Sequence, residues 1–169
     1  MTWYILLIAV VAVERLLEVV VAERNRRWSR ERGAIEQGAG HYPVMVVLHS
    51  ALLAGCVIEV ALLHRPFIPV LGWSMLVLVV AAQGLRWWCI TTLGRQWNTR
   101  VIVIPGAQRI TTGTYRLIPH PNYVAVVVEG FALPMVHSAW WTAVVFTVCN
   151  AALLKTRLDI ENRALAELR

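Results

Sequence analysis

Five apolar segments dominate this chain. They cover about residues 2–22, 43–63, 68–88, 121–136 and 139–157. A helix needs about 20 residues to cross the hydrocarbon core of a bilayer. The fourth segment alone falls clearly short of that length, and Pro121 and Pro134 stand close to its two ends. The composition agrees with the pattern, because 58% of the residues are hydrophobic and only 15% are charged. We therefore predict an all-α integral membrane protein with about five transmembrane helices.

The length of 169 residues suits a single domain, residues 1–169. We divide it into an N-terminal part of three helices, residues 1–88, and a C-terminal part, residues 89–169, that carries the chemistry. The stretch 89–120 is a long connection, and such connections are usually either functional or disordered. Its glycine and aromatic content favours an ordered, functional loop, either a short hairpin or an irregular segment. The tail from Lys155 is predicted to be a helix that emerges from the membrane.

Positive charge is concentrated on one set of connections. The 23–42 loop holds five arginines, the 86–120 segment holds five, and the tail holds four basic residues, whereas the opposite loops hold only Arg65. The positive-inside rule then places the N-terminus outside and the C-terminus in the cytoplasm. The arginine-rich, alanine- and valine-rich composition is typical of a GC-rich bacterium, so we expect the inner (plasma) membrane. The net charge of +6 is thereby explained without a nucleic-acid partner.

One polar stretch, 115–123, leads directly into the fourth apolar segment. Pro119 and Pro121 bracket His120 and hold it on stiff backbone, and Pro121 suits a first helical turn. Asn122 and Glu129 are seven residues apart and share a helix face. A carboxylate at membrane depth is costly, so Glu129 is a functional candidate. The cysteines and histidines show no metal-ligand spacing, and no metal is expected.

The first apolar segment also carries charges. Arg15 lies three residues before Glu18, so the two side chains can pair on one face of a helix, near Glu14. Two interpretations stay open: an internal ion pair that locks the first helix to its neighbours, or part of a pocket for a substrate.

One pattern of residues extends over roughly residues 86–169. It consists of Leu93-Gly94, Trp97, Arg100, Gly113, Tyr115-Arg116, His120-Pro121-Asn122-Tyr123, Glu129, Arg157, Glu161-Asn162 and Leu165. This pattern resembles the isoprenylcysteine carboxyl methyltransferase family of membrane methyltransferases, especially its short bacterial members. Relatives often have paired glutamates where this chain has Glu161-Asn162. The resemblance implies a membrane methyltransferase that uses S-adenosylmethionine.

No glycine-rich motif follows a strand, so a Rossmann-type cofactor site is excluded. The site implied by the resemblance is instead built from helix ends, the 89–120 loop and the C-terminal helix. Aromatic faces attract a sulfonium, and the start of the fourth helix suits a carboxylate. The expected cofactor-binding residues are Trp97, Gly113, Tyr115, His120, Pro121, Asn122, Tyr123 and Glu129.

Arg157 and Glu161 are the expected catalytic pair, with Arg157 orienting the acceptor and Glu161 positioning Arg157. Their spacing places them on one face of a helix. The expected acceptor is lipophilic and enters from the membrane. Short bacterial relatives resemble enzymes that O-methylate long-chain alkylpyrones or alkylresorcinols, which are type III polyketide products. The alternatives are an isoprenylcysteine carboxyl O-methyltransferase and a non-catalytic membrane ligand-binding protein.

Overall fold

The computed structural model describes residues 1–38, 40–108 and 110–166. Arg109 and residues 167–169, the end of the predicted tail helix, lie outside this description. The helices are α1 (Thr2–Arg30), α2 (His41–Leu62), α3 (Pro69–Leu93), α4 (Pro121–Met135) and α5 (Trp140–Ala166). Two short strands, β1 (Ile35–Gln37) and β2 (Val101–Val103), and two 3-10 turns, Gly94–Gln96 and Gly113–Arg116, complete the chain. The predicted helical class is confirmed, and every apolar segment lies within a helix.

Within the described residues, α2 and α3 are long and apolar enough to cross a membrane. This is fewer than the five spans expected from the apolar segments, and the shortfall has physical causes. Helix α1 carries Glu14, Arg15 and Glu18 in its apolar part. Helix α4 has 15 residues, a rise of about 22 Å against a hydrocarbon core of about 30 Å. Both α1 and α4 pack against neighbouring helices of the bundle.

The described part of the long connection, residues 89–108 and 110–120, does not form a local hairpin. Strand β2 instead pairs with β1, which precedes α2, in an antiparallel ribbon with Glu36 opposite Ile102. Arg100 Nη1 donates to the Glu36 carboxylate at 2.6 Å, and its guanidinium lies 4.0 Å from the centre of the Tyr42 ring. The ribbon therefore joins the 89–120 connection to the 23–42 loop. A three-residue strand leaves too short an alternating pattern for the sequence to predict it.

The helices pack around a core that draws on all of them. Tyr4 is fully buried and donates a hydrogen bond to the Leu133 carbonyl at 3.0 Å. Small residues allow close approach, since a Cβ at Gly130 would overlap the ring of Phe146 on α5. Helix α4 is thus wedged between α3 and α5, and its position is set by packing on both sides.

The start of α5 is capped from another helix. The Glu59 carboxylate on α2 accepts from the backbone N–H groups of Trp141 and Thr142, at 3.2 and 2.7 Å, and from Arg65 at 3.0 Å. Orphan N–H groups at a helix start require such partners, and a carboxylate also suits the positive end of the helix dipole. Glu59 thereby fixes α5 relative to α2.

Arg15 and Glu18 form the ion pair predicted from their spacing, at 2.7 Å. The pair belongs to a larger group that we call the membrane charge cluster: Arg15, Glu18, Arg86 and Glu129. Arg15 bonds to Glu129 at 3.0 Å, and Arg86 bonds to the same carboxylate at 2.7 Å. The cluster ties α1 to α3 and α4, as the ion-pair interpretation expects.

Candidate functional site

The start of α4 brings four of the predicted site residues together in one turn, namely His120, Pro121, Asn122 and Tyr123. Pro121 occupies the first turn, His120 is the residue before the helix, and no side chain caps the helix start. First-turn N–H groups without a side-chain cap are well suited to an anion. The His120 and Tyr123 rings stack, with their centroids 5.4 Å apart. This local geometry follows from the two prolines around His120.

Helix α5 brings the predicted catalytic residues to the same place. Arg157 Nε donates to the Tyr123 hydroxyl oxygen at 3.0 Å, and the Tyr123 hydroxyl donates to Glu161. His120 Nδ1 lies 3.5 Å from the Glu161 carboxylate. Arg157 and Glu161 therefore meet through the Tyr123 hydroxyl, and among the described side chains they form no direct ion pair. The expectation that Glu161 positions Arg157 needs Tyr123 as the intermediary, because both side chains turn toward α4.

The Glu161 carboxylate is held in its ionised form. Burial raises its pKa, but the neighbouring His120, the hydrogen bond from Tyr123 and the positive charge of Arg157 together outweigh burial, so the pKa lies below its usual range. Burial raises the pKa of Tyr115, which stays protonated. The site therefore offers a fixed negative charge beside Tyr123 and a neutral phenol at Tyr115.

These side chains line a first cavity of about 180 Å³, which we call the polar cavity. Seven of the ten predicted site residues lie on its wall: Trp97, Tyr115, His120, Asn122, Tyr123, Arg157 and Glu161. The rest of the described wall comes from residues 96–108 and Ile110 of the connection, including β2, and from Ser29, Leu93 and Pro119. The structure thus brings together residues that are up to 64 positions apart, from Trp97 to Glu161.

Three predicted site residues lie elsewhere among the described residues. Glu129 belongs to the membrane charge cluster, where it accepts bonds from Arg15 and Arg86. Gly113 has φ +57°, and a Cβ there would lie 2.8 Å from the Thr92 hydroxyl, so its fit against α3 accounts for the glycine. Pro121 is buried in the first turn of α4. These contacts give Glu129, Gly113 and Pro121 roles in holding the fold together. Cofactor binding by these three residues stays a prediction.

A second cavity of about 230 Å³ adjoins the first, and we call it the apolar cavity. Side chains of α1, α2, α4 and α5 line it, among them Leu16, Val46, Leu53, Val126, Leu153 and Leu154. The two cavities share five lining residues: Trp97, Asn98, Asn122, Tyr123 and Arg157. The wall between a polar and an apolar compartment is therefore the predicted site itself.

Several buried polar atoms at this shared wall have no hydrogen-bond partner within the described parts of the chain. They are the Trp97 indole nitrogen, both amide atoms of Asn98 and the Asn122 carbonyl oxygen. Buried polar groups without partners are uncommon and call for an explanation. Asn98 was not expected from the sequence, although it follows Trp97 directly. Its position is set by Asn25 of α1, whose amide donates to the Trp97 carbonyl at 2.7 Å.

A comparison with known protein families shows to which family the chain belongs. The model described as "Isoprenylcysteine carboxyl methyltransferase (ICMT) family" matches residues 75–167. The chain belongs to the ICMT family. The match contains α4, α5 and the connection before them, and so contains every site residue predicted from the sequence. The family resemblance carried by the His120-to-Tyr123 and Arg157-to-Glu161 motifs is thereby confirmed.

Two relatives extend the similarity over the rest of the chain. The uncharacterized protein YpbQ of Bacillus subtilis (strain 168) is 34% identical over 163 residues, which is 96% of each chain. An uncharacterized protein of Haemophilus influenzae (strain ATCC 51907 / DSM 11121 / KW20 / Rd) is 22% identical over 155 residues, 91% of this chain and 90% of the relative. No solved structure matches the chain significantly. Membership of the ICMT family, with the apolar helices, indicates a membrane protein of the methyltransferase type, and such methyltransferases generally use S-adenosylmethionine.

Proposed function

We propose that this protein is an S-adenosylmethionine-dependent O-methyltransferase that acts on a lipophilic acceptor. The observation that carries the proposal is the pair of cavities that meet at Tyr123 and Arg157. Methyl transfer requires a polar donor and the acceptor to touch at one point while water is kept out. A polar compartment and an apolar compartment with a shared wall meet that requirement.

The polar cavity fits S-adenosylmethionine by the chemistry of its wall. The unpartnered atoms of Trp97, Asn98 and Asn122 offer both donors and acceptors to a ligand. The uncapped start of α4 suits the methionyl carboxylate. Glu161 suits the ammonium or the ribose hydroxyls, and His120 suits the carboxylate or the ribose. When bound, S-adenosylmethionine supplies a methyl group activated by its positively charged sulfur.

The protein's own residues would align the acceptor and exclude water. Arg157 would hold the acceptor oxygen, since a guanidinium binds oxygen anions in a fixed orientation. The Tyr123 hydroxyl, 3.0 Å from Arg157 Nε, would keep that guanidinium in place. An O–C bond forms as the S–C bond breaks, and no base is needed when the acceptor is a carboxylate. An acidic enol or phenol would react as its oxyanion, having lost its proton to the aqueous phase, and Arg157 would stabilise that anion.

For the acceptor we propose a long-chain alkylpyrone or alkylresorcinol of the type III polyketide class. The apolar cavity supports a tail that stays in the membrane while the head meets Tyr123. A second candidate is a prenylated cysteine carboxylate, which the family description itself favours. In both cases we place the 89–120 connection and the C-terminus on the cytoplasmic side of a bacterial inner membrane, where the cofactor is available.

Equilibrium binding of S-adenosylmethionine to the detergent-purified protein tests the cofactor. His120→Ala and Tyr123→Phe should each weaken binding, because one removes a cavity wall and the other removes the hydroxyl that contacts Glu161. His64→Ala, at an exposed residue beyond the end of α2, is the matched control and should bind like the wild type. Unchanged affinity in both site variants would place the cofactor elsewhere.

Radiolabelled methyl transfer into membranes tests the reaction and separates the two acceptors. We expect label in the lipid fraction that resists mild alkali, since an enol or phenol ether is stable where a methyl ester is hydrolysed. Alkali-labile label would select the carboxyl acceptor instead. Label restricted to soluble protein or nucleic acid would refute both acceptors.

A further inference from the structure

The apolar cavity has one polar wall that the reaction as proposed does not use. Three members of the membrane charge cluster, Arg15, Glu18 and Arg86, line it together with the apolar side chains of α1, α2 and α5. Their partner Glu129 stands six residues after Tyr123 on α4, about 9 Å deeper along the helix. A plain alkyl tail would gain no binding free energy from this wall, because an alkyl group cannot hydrogen-bond to the charged side chains there.

The two arginines of this wall differ in how many of their donors are in use. Arg15 donates to Glu18, Gln83 and Glu129 through both of its terminal nitrogens. Arg86 donates only from Nη2, to Glu129 at 2.7 Å, among the described residues. Its Nε lies 3.6 Å from Glu18 and has no hydrogen-bond partner in the part of the chain that the structure describes. Arg86 is 6% exposed, so this unused capacity is buried beside the cavity.

A buried guanidinium with unused N–H groups is a site for an oxygen atom, since it has donors and no acceptor. Two guanidinium and two carboxyl groups alternate in the cluster, and Glu14 adds a further carboxyl group at its edge, so the cluster has no excess positive charge for an anionic ligand. A neutral carbonyl oxygen therefore fits this position better than an anion. The two cavities meet at Tyr123 and Arg157. From there, a head group with one ring and a hydrogen bond of about 3 Å is large enough to reach this wall.

We propose that Arg86 is a specificity-determining residue that binds a carbonyl-type oxygen on the acceptor head, in addition to the oxygen that receives the methyl group. The inference rests on the proposed function and narrows its substrate class. The acceptor is a lipid with two oxygen functions on one head, the first at Tyr123 and Arg157 and the second at Arg86. Its tail lies along the apolar side of the cavity, away from the cluster.

Two matched probes test the inference by equilibrium binding to the full-length, detergent-purified protein. One is a hydroxyacetophenone with a long alkyl tail, and the other is the corresponding ethylphenol, in which a methylene replaces the carbonyl. A hydrogen bond to a charged group contributes about 1.5–3 kcal/mol, so the wild type should bind the ketone roughly 10- to 150-fold more tightly. Arg86→Lys keeps the positive charge but loses the planar guanidinium with its fixed N–H donors. In this variant the ratio of the two affinities should fall toward one.

Glu14→Gln is the matched control. Glu14 contacts Gln83 at the edge of the cluster and is not among the described residues that line the cavity. It should keep the wild-type preference, since a merely structural disturbance changes the affinity of both probes equally. Should Arg86→Lys fail to fold, the double variant Arg86→Met with Glu18→Met removes the pair without leaving a lone charge, and it too should lose the preference.

Equal binding of the two probes by the wild type, or binding of neither, would overturn the inference, as would a preference that survives in Arg86→Lys. A phosphatidylglycerol with ester carbonyls is the third probe. If it displaces the ketone from the wild type but not from Arg86→Lys, Arg86 binds a resident membrane lipid and the inference is wrong. S-adenosylmethionine binding, measured in parallel, reports the proposed function separately and does not depend on the probes.

Discussion

Arg157 lines both cavities. Its Nε bonds to Tyr123 and its Nη1 lies 2.9 Å from the sulfur of Met45 on α2, so the guanidinium spans from α4 to α2. Lysine keeps the charge but loses the planar fork. We expect Arg157→Lys to lower turnover by about 100-fold, a typical cost of a misplaced reactant, with a modest change in cofactor affinity.

Turnover and S-adenosylmethionine binding, measured on the same preparation, separate the two roles of Arg157. Arg116→Lys is the control, because Arg116 is exposed and lines neither cavity among the described residues. An equal loss of cofactor affinity in Arg157→Lys would reassign the residue from the acceptor to the cofactor.

The Glu161 carboxylate predicts how the site responds to acid. Its pKa is lower in the folded protein than in the unfolded chain, so its stabilising contacts are complete above the unfolded value of about 4.3. They are lost as the pH falls through the folded value. The contribution of Glu161 to S-adenosylmethionine affinity should therefore be complete down to about pH 5 and decline only below it. Glu161→Gln should bind more weakly and should lack that acid-dependent decline; a decline that persists in it would exclude Glu161 as the cause.

At the scale of the elements, α4 carries the site, and its packing against α5 holds Tyr123 beside Arg157. Gly130 lies against Phe146 on α5, so Gly130→Ala should force the helices apart. Overpacking of this kind costs about 1–3 kcal/mol. We expect a lower thermal unfolding midpoint in detergent and weaker cofactor binding. Gly84→Ala on α3 adds the same methyl group where no atom lies within 4 Å, and it should be neutral or slightly stabilising because alanine favours helices.

The elements also show what the sequence could and could not predict. The start of α4 was predictable, because Pro119 and Pro121 fix the backbone around His120 and apolar residues follow at once. The Arg15–Glu18 pair was predictable from helical spacing. Their connections to Glu129, Arg86 and Gln83 were not, since these depend on how three helices are turned toward each other.

The same distinction applies to the cavity walls. Motif residues such as Trp97 and Tyr123 could be named because they belong to a recognisable pattern. Asn98 and Arg86 belong to no pattern, and Arg86 entered the sequence argument only as a loop charge. Strand β1 escaped prediction because three residues, Ile35–Gln37, give no usable periodicity. Glu59 lies in an apolar segment of the sequence, but its capping of α5 follows only from the position of a helix that starts 81 residues later.

At the scale of the whole molecule, the last prediction is its orientation. The proposed site needs the polar cavity to open toward the compartment that supplies S-adenosylmethionine. Helix α1 ends at Arg30, and β1 pairs with β2 beside that cavity, so residues 30 and 105 must lie on the same side. The loop after α2 that contains Pro66 follows a full membrane-length helix and must lie on the other side.

Reporter fusions or cysteine labelling at residues 30, 66 and 105 and at the C-terminus measure this directly. We expect positions 30, 105 and the C-terminus in the cytoplasm and position 66 outside, as the arginine-rich loops direct. Replacing Arg24, Arg27 and Arg30 together by glutamine removes exposed charges at the end of α1. This replacement should lower the fraction of molecules in the expected orientation. Replacing Arg65 in the outer loop by glutamine should leave that fraction unchanged. A periplasmic position 105 would leave the polar cavity without its cofactor and would refute the proposed function at its base, whatever the geometry around Tyr123.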